Sequence, residues 1–106
     1  MLKKGTQAPE FDLVDQDGKR HTLKSLLARG PLILYFYPAD FTPGCTREAC
    51  TFRDLQNDLV RARLRVVGVS PQDVASHRRF ADEHSLNFPL LADPDKVAVK
   101  AYDVDG

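Results

Sequence analysis

Apolar and polar positions change rhythm several times along this 106-residue chain, and each change marks an element. Phe11-Asp-Leu13-Val-Asp15 and Lys19-Arg-His21-Thr-Leu23 alternate on either side of Gln16-Asp17-Gly18. An Asp-Gly between two such runs predicts a β-hairpin. Ser25 to Ala28 suits a short helical turn that ends at Gly30. Pro31 to Tyr37 is apolar without a break, the mark of a fully buried strand.

From Thr42 the period becomes helical. Thr42 suits an N-cap and Pro43 the first helical position, where its missing N–H costs nothing. Ala49, Phe52, Gln56 and Leu59, with Leu55 and Val60 beside them, follow one helical face. Leu64 to Val69 is a second β-branched strand. Ser70-Pro71-Gln72-Asp73 predicts another capped helix start, with Val74, His77, Ala81 and His84 as its inner stripe. Phe88 to Ala92 reads as a third short strand, and Asp93-Pro94 opens a last helix carrying Val97 and Ala101. Strands alternating with helices after a hairpin predict βαβ units and one layered α/β domain over residues 1–106.

Bulk properties remove several function classes. Fifteen basic and fifteen acidic side chains give a formal net charge of zero, so no basic excess exists to bind nucleic acid. The longest apolar run is far short of the roughly 18 residues a membrane span needs. No apolar segment follows Lys3 and Lys4, so the start of the chain is not a signal peptide, and a cytoplasmic protein is expected. In that compartment two cysteines point to catalysis or redox sensing more than to a structural disulfide. A packed, inert thiol is the plain alternative.

Both cysteines, Cys45 and Cys50, fall where the apolar run Leu32–Tyr37 turns into the first long helix. There the unpaired N–H groups and the helix dipole favour a thiolate. Thr42 can aim a hydroxyl at the same spot, Pro38 can shield the sulfur from bulk water, and Gly44 lets a small substrate approach the backbone. In an ideal helix the Cα atoms of residues five apart lie about 8–9 Å from each other. That is beyond the roughly 7 Å within which two cysteines can bridge. Either the two never pair, or the first turn unwinds after Cys45 reacts.

Pro38-x-x-x-Thr42-x-x-Cys45 resembles the active-site motif of the peroxiredoxins. The continuation Cys45-Thr46-Arg47-Glu48-Ala49-Cys50 is similar to the bacterioferritin-comigratory protein (PrxQ) subgroup. Gly5-x-x-Ala8-Pro9-x-Phe11-x-Leu13, Val66-Val-Gly-Val-Ser70 and Phe88-Pro-Leu-Leu-Ala-Asp93 carry the resemblance over essentially the whole chain. It implies a thioredoxin-like fold and a thiol peroxidase without metal or organic cofactor. Cys45 would be oxidised by hydrogen peroxide or an organic hydroperoxide, with Thr42 and Pro38 shaping its pocket. Cys50 would resolve the sulfenic acid to an intramolecular disulfide, and thioredoxin or a similar dithiol would reduce it. Glu48 matches a position that helps orient an active-site arginine in relatives. The expected assembly is a monomer or weak dimer.

The family also uses an arginine from a downstream strand, a closing strand pair and a last helix, none of which this chain contains. A C-terminally incomplete domain is therefore expected, with an exposed sheet edge and weak peroxidase activity. Arg47 and Arg53 are expected at the solvated surface. Two other functions compete: a thiol–disulfide oxidoreductase, which would reduce insulin without peroxide, and a redox-sensing module whose assembly changes when Cys45 is blocked. His21, His77 and His84 lack the spacing of a metal site and are expected to be ordinary surface or half-buried histidines. Arg61, Arg63 and Arg65 suit a helix C-terminus, and Arg78-Arg79 a solvated face.

Overall fold

The computed structural model describes residues 3–104, so Met1, Leu2, Asp105 and Gly106 of the expected 1–106 domain lie outside the described residues. The elements are β1 (Asp12–Val14), β2 (Arg20–Thr22), α1 (Leu23–Leu27), β3 (Leu32–Phe36), α2 (Pro43–Asp54), α3 (Gln56–Arg61), β4 (Arg65–Ser70), α4 (Val74–His84), β5 (Leu90–Ala92) and α5 (Val97–Ala101). They form a five-stranded sheet in the order β2-β1-β5-β4-β3. β3, β4 and β5 run parallel, β1 joins β5 antiparallel, and the hairpin pairs Leu13 with His21. The expected α/β layering and the hairpin are both present.

Alternation along the strands builds a core on each face of the sheet. Val67, Val69 and Leu91 pack with Phe11, with Leu23 and Leu26 of α1, and with Ala98 of α5. Val66 and Leu90 face the other way, against Ala49 of α2, Phe80 and Ala81 of α4, Tyr37 and Phe88. Cys45 and Tyr35 border this second cluster.

Several expectations are corrected. β3 is half-buried along its whole length, because among the described strands only β4 pairs with it. The expected long helix from Thr42 to Val60 is two helices, broken at Leu55, whose ψ is 0°. The break leaves Leu55 and Val60 exposed while Phe52 and Leu59 stay against the core. Ser70 ends β4 instead of capping α4. The cap is Asp73, whose carboxylate accepts from the Ser76 N–H at 2.8 Å. The buried stripe of α4 is His77, Phe80 and Ala81, since capping at Asp73 turns Val74 and His84 part-way toward solvent. α5 begins at Val97, not at Asp93-Pro94. The buried Asp93 carboxylate accepts from the N–H groups of Val97 and Val99, and the helix faces inward with Ala98 and Val99 instead of Val97 and Ala101. α1 starts two residues earlier than expected, in a capping box between Thr22 and Ser25.

Candidate active site

β3 delivers the chain to Pro38, and α2 takes it up at Pro43. The loop between them is held by one carboxylate. Asp40 is 5% exposed and accepts hydrogen bonds from the Tyr37 hydroxyl at 2.7 Å, the Ser76 hydroxyl at 2.7 Å and His77 Nδ1 at 2.8 Å. Burial pushes the Asp40 pKa up, but the bonds from His77, Tyr37 and Ser76 outweigh it and hold the group below the usual carboxylate value. His77 Nε2 lies 3.0 Å from the Leu91 carbonyl. Both ring nitrogens thus face oxygen atoms of other elements. The loop, β3, α4 and β5 are thereby joined through Asp40 and His77. The Tyr37 hydroxyl keeps its proton strongly, because it is buried and bonded to Asp40.

His77 keeps its expected place on the inner stripe of α4 but is not the surface or half-buried residue its spacing suggests. It is fully enclosed, with both nitrogens occupied. His84 stacks edge-on against Phe80 with centroids 5.3 Å apart, and His21 meets Asp15 at 2.7 Å. The three histidines serve three separate places.

Downstream of Asp40, Phe41 occupies the left-handed region at φ 67° and is 44% exposed, packing edge-on against Phe80. Thr42 is the N-cap of α2, as expected, with extended backbone. Its hydroxyl makes no capping bond; it points back to the Ala39 carbonyl at 3.4 Å. The first intrahelical bond runs from the Thr46 N–H to the Thr42 carbonyl at 2.8 Å. Pro43 has no N–H to spend, so the N–H groups of Gly44 and Cys45 remain at the open end of the helix. Cys45 is the third helical residue, half-buried beside these donors. This is the strand-to-helix placement the spacing predicts.

Around it, a Cβ built on Gly44 meets nothing within 4 Å, so the approach to the backbone is open. Pro38 is exposed and, with Phe36, Tyr37, Pro71, Lys96, Val99 and Val104, lines a depression of about 390 Å³ toward α5. Glu48 is exposed on α2, one turn beyond Cys45. Cys50 is a half-buried free thiol in the same unbroken helix. Arg53 departs from its expected surface role. Its guanidinium donates to the His84 carbonyl at 2.6 Å and to Asp54 at 2.9 Å, tying α2 to the end of α4.

The AhpC/TSA family matches residues 4–106. The chain belongs to the AhpC/TSA family. It is 44% identical over 103 residues to the chloroplastic peroxiredoxin Q of Oryza sativa subsp. japonica, covering 97% of this chain and 47% of that protein. Among solved structures it superposes on peroxidoxin BcpB of Mycobacterium tuberculosis with TM-score 0.94 and 39% identity, over 97% of this chain and 67% of that one. The bacterioferritin comigratory protein of Xanthomonas campestris gives TM-score 0.83 and 36% identity, over 89% and 59%. The fold is accordingly thioredoxin-like. The chain spans about half the length of the curated relatives it matches first.

Some members of the site escaped sequence reasoning. Asp40 sits in a loop where a carboxylate is ordinary, and His77 on a helical stripe where a histidine is ordinary. Nothing short of their meeting across 37 residues distinguishes them.

Proposed function

We propose that the chain carries the reaction centre of a thiol peroxidase, with Cys45 as the peroxidatic residue. The Cys45 thiolate attacks the distal oxygen of a hydroperoxide. The O–O bond breaks, an S–OH group forms, and the leaving alkoxide or hydroxide takes a proton as alcohol or water. Cys50 then attacks the sulfenic sulfur, water leaves, and a Cys45–Cys50 disulfide results. A thioredoxin-type dithiol reduces it by exchange. Because α2 is continuous across both cysteines, the second step needs its first turn to unwind.

The observation that carries this reading is Cys45 at the third position of a helix whose leading N–H groups are unpaired and whose cap hydroxyl makes no capping bond, only a long one to the Ala39 carbonyl. Thr42 turns its hydroxyl from the Ala39 carbonyl to the peroxide, Gly44 leaves the entrance open, Pro38 restricts water at the rim, and Glu48 adds a charge one turn further on. The relatives' names supply the substrate class. A coupled assay of peroxide consumption with thioredoxin and its reductase tests it, with a full-length relative as reference. Cys45→Ser abolishes turnover, and Cys50→Ser permits one oxidation and then stalls. Turnover that survives Cys45→Ser would sink the proposal.

A further inference from the structure

Tyr35 stands out among the half-buried side chains that border the same cluster as Cys45. It lies on β3 in register with Gly68 of β4, and a Cβ on that glycine would come within 3.0 Å of the tyrosine ring. The glycine thus makes room for the ring, which packs on Phe52 at 4.8 Å, Tyr37 at 5.5 Å and Phe88 at 6.3 Å between centroids. The hydroxyl at its end is buried and has no hydrogen-bond partner among the described residues. Its neighbour Tyr37 shows the ordinary solution, a bond to Asp40.

An unmet buried hydroxyl is unfavourable, and a phenylalanine would fill the same cradle without it. Burial, together with the negative charge of Glu48, Cys45 and Asp40, raises the Tyr35 pKa, so the group stays protonated and remains a donor. Tyr35 and Cys45 border the same apolar cluster.

We propose that Tyr35 is a positioning residue for the oxidised state of Cys45, its O–H donating to the oxygen that peroxide leaves on the Cys45 sulfur. This rests on the reading of Cys45 as the peroxidatic thiol. In the reduced protein no bond joins the two side chains. Oxidation extends Cys45 by one S–O bond and provides the acceptor that Tyr35 lacks. The new bond holds the first turn of α2 in its helical form and delays the unwinding that brings Cys45 to Cys50. Tyr35 thereby sets how long the sulfenic acid persists.

The test compares Tyr35 with Tyr35→Phe in a Cys50→Ser background, where the sulfenic acid cannot be resolved. Each protein takes one equivalent of hydrogen peroxide. Sulfenic acid is counted by dimedone trapping and mass spectrometry, and urea unfolding is followed for the reduced and oxidised forms. In the reduced form, Tyr35→Phe leaves the midpoint unchanged or raises it, because only an unmet donor is removed. In the oxidised form the same change weakens folding by about tenfold in the equilibrium constant, the scale of one hydrogen bond. With Cys50 present, Tyr35→Phe speeds disulfide formation by a similar factor. Equal midpoint shifts in both forms, or an unchanged disulfide rate, would reduce Tyr35 to a packing residue and overturn the inference while sulfenic acid still forms. Failure of peroxide to produce any sulfenic acid would overturn it together with the peroxidase reading.

Discussion

Replacing Asp40 with alanine probes the joint that holds the Cys45 loop. The change removes the acceptor for three hydrogen bonds at once. Ser76 is only half-buried and can turn to water, but the Tyr37 hydroxyl and His77 Nδ1 are enclosed and keep only their long 3.4 Å contact with each other. Each stranded buried donor costs about 1–3 kcal/mol. Relief from burying the carboxylate offsets part of that, so the net loss is about 3 kcal/mol. Against a total stability of about 5–15 kcal/mol for a domain, this is a severe loss. With a urea m-value of about 2 kcal/mol/M, the midpoint falls by about 1.5 M. Asp40→Asn keeps the shape and one oxygen for Ser76 and His77, while the Tyr37 hydroxyl rotates to accept from the new amide. It costs about 1 kcal/mol. Urea unfolding followed by circular dichroism measures both variants. An Asp40→Ala loss below about 1 kcal/mol, or an asparagine variant as damaged as the alanine one, would refute the account of the joint. The pH dependence has a definite sign. The folded pKa of Asp40 lies below its usual 3.8, so its contribution is complete above that value and is lost as pH falls through the lower folded pKa. Asp40→Asn therefore flattens the acid limb of the stability curve.

Other outcomes follow from neighbouring contacts. Gln16 donates to the Phe88 carbonyl at 3.0 Å and accepts from the Leu90 N–H at 2.8 Å, so Gln16→Ala strands two groups and lowers stability by about 2 kcal/mol in the same urea assay. Gly68→Ala presses a methyl group to 3.0 Å from the Tyr35 ring and 3.1 Å from Leu90, costing about 1–3 kcal/mol by thermal or urea unfolding. Ser85 ends α4 at φ 53°, so Ser85→Gly stabilises by about 0.5–1 kcal/mol; a loss of stability would contradict the left-handed cap. Thr42→Val, lacking the hydroxyl, slows peroxide reduction by about 10²–10³-fold, while Thr42→Ser retains most of the rate in stopped-flow oxidation.

Much of this protein is legible along the chain because the information is local. The Asp17-Gly18 turn, the unbroken apolar run of β3, and Thr42-Pro43 before the cysteine each depend on neighbours in sequence, and each forms where its pattern points. The placement of Cys45 at a strand-to-helix turn, and the impossibility of a Cys45–Cys50 bridge in an intact helix, need only the helix period. Helix limits are less legible, because they depend on which side chain reaches a free N–H. Asp73 caps α4 three residues past the expected Ser70, and Asp93, accepting from the Val97 N–H, precedes the start of α5 by four residues. Only the tertiary structure decides what is buried and what is shared. Phe80 becomes part of one core, and β3 is only half-buried because among the described strands β4 alone pairs with it. Asp40 meets His77 across 37 residues, Gln16 meets Phe88 across 72, and Gly68 clears space for Tyr35 on the next strand. Local pattern determines which backbone each segment adopts. Whether a polar side chain finds its partner is settled only when distant segments close on one another and exclude water.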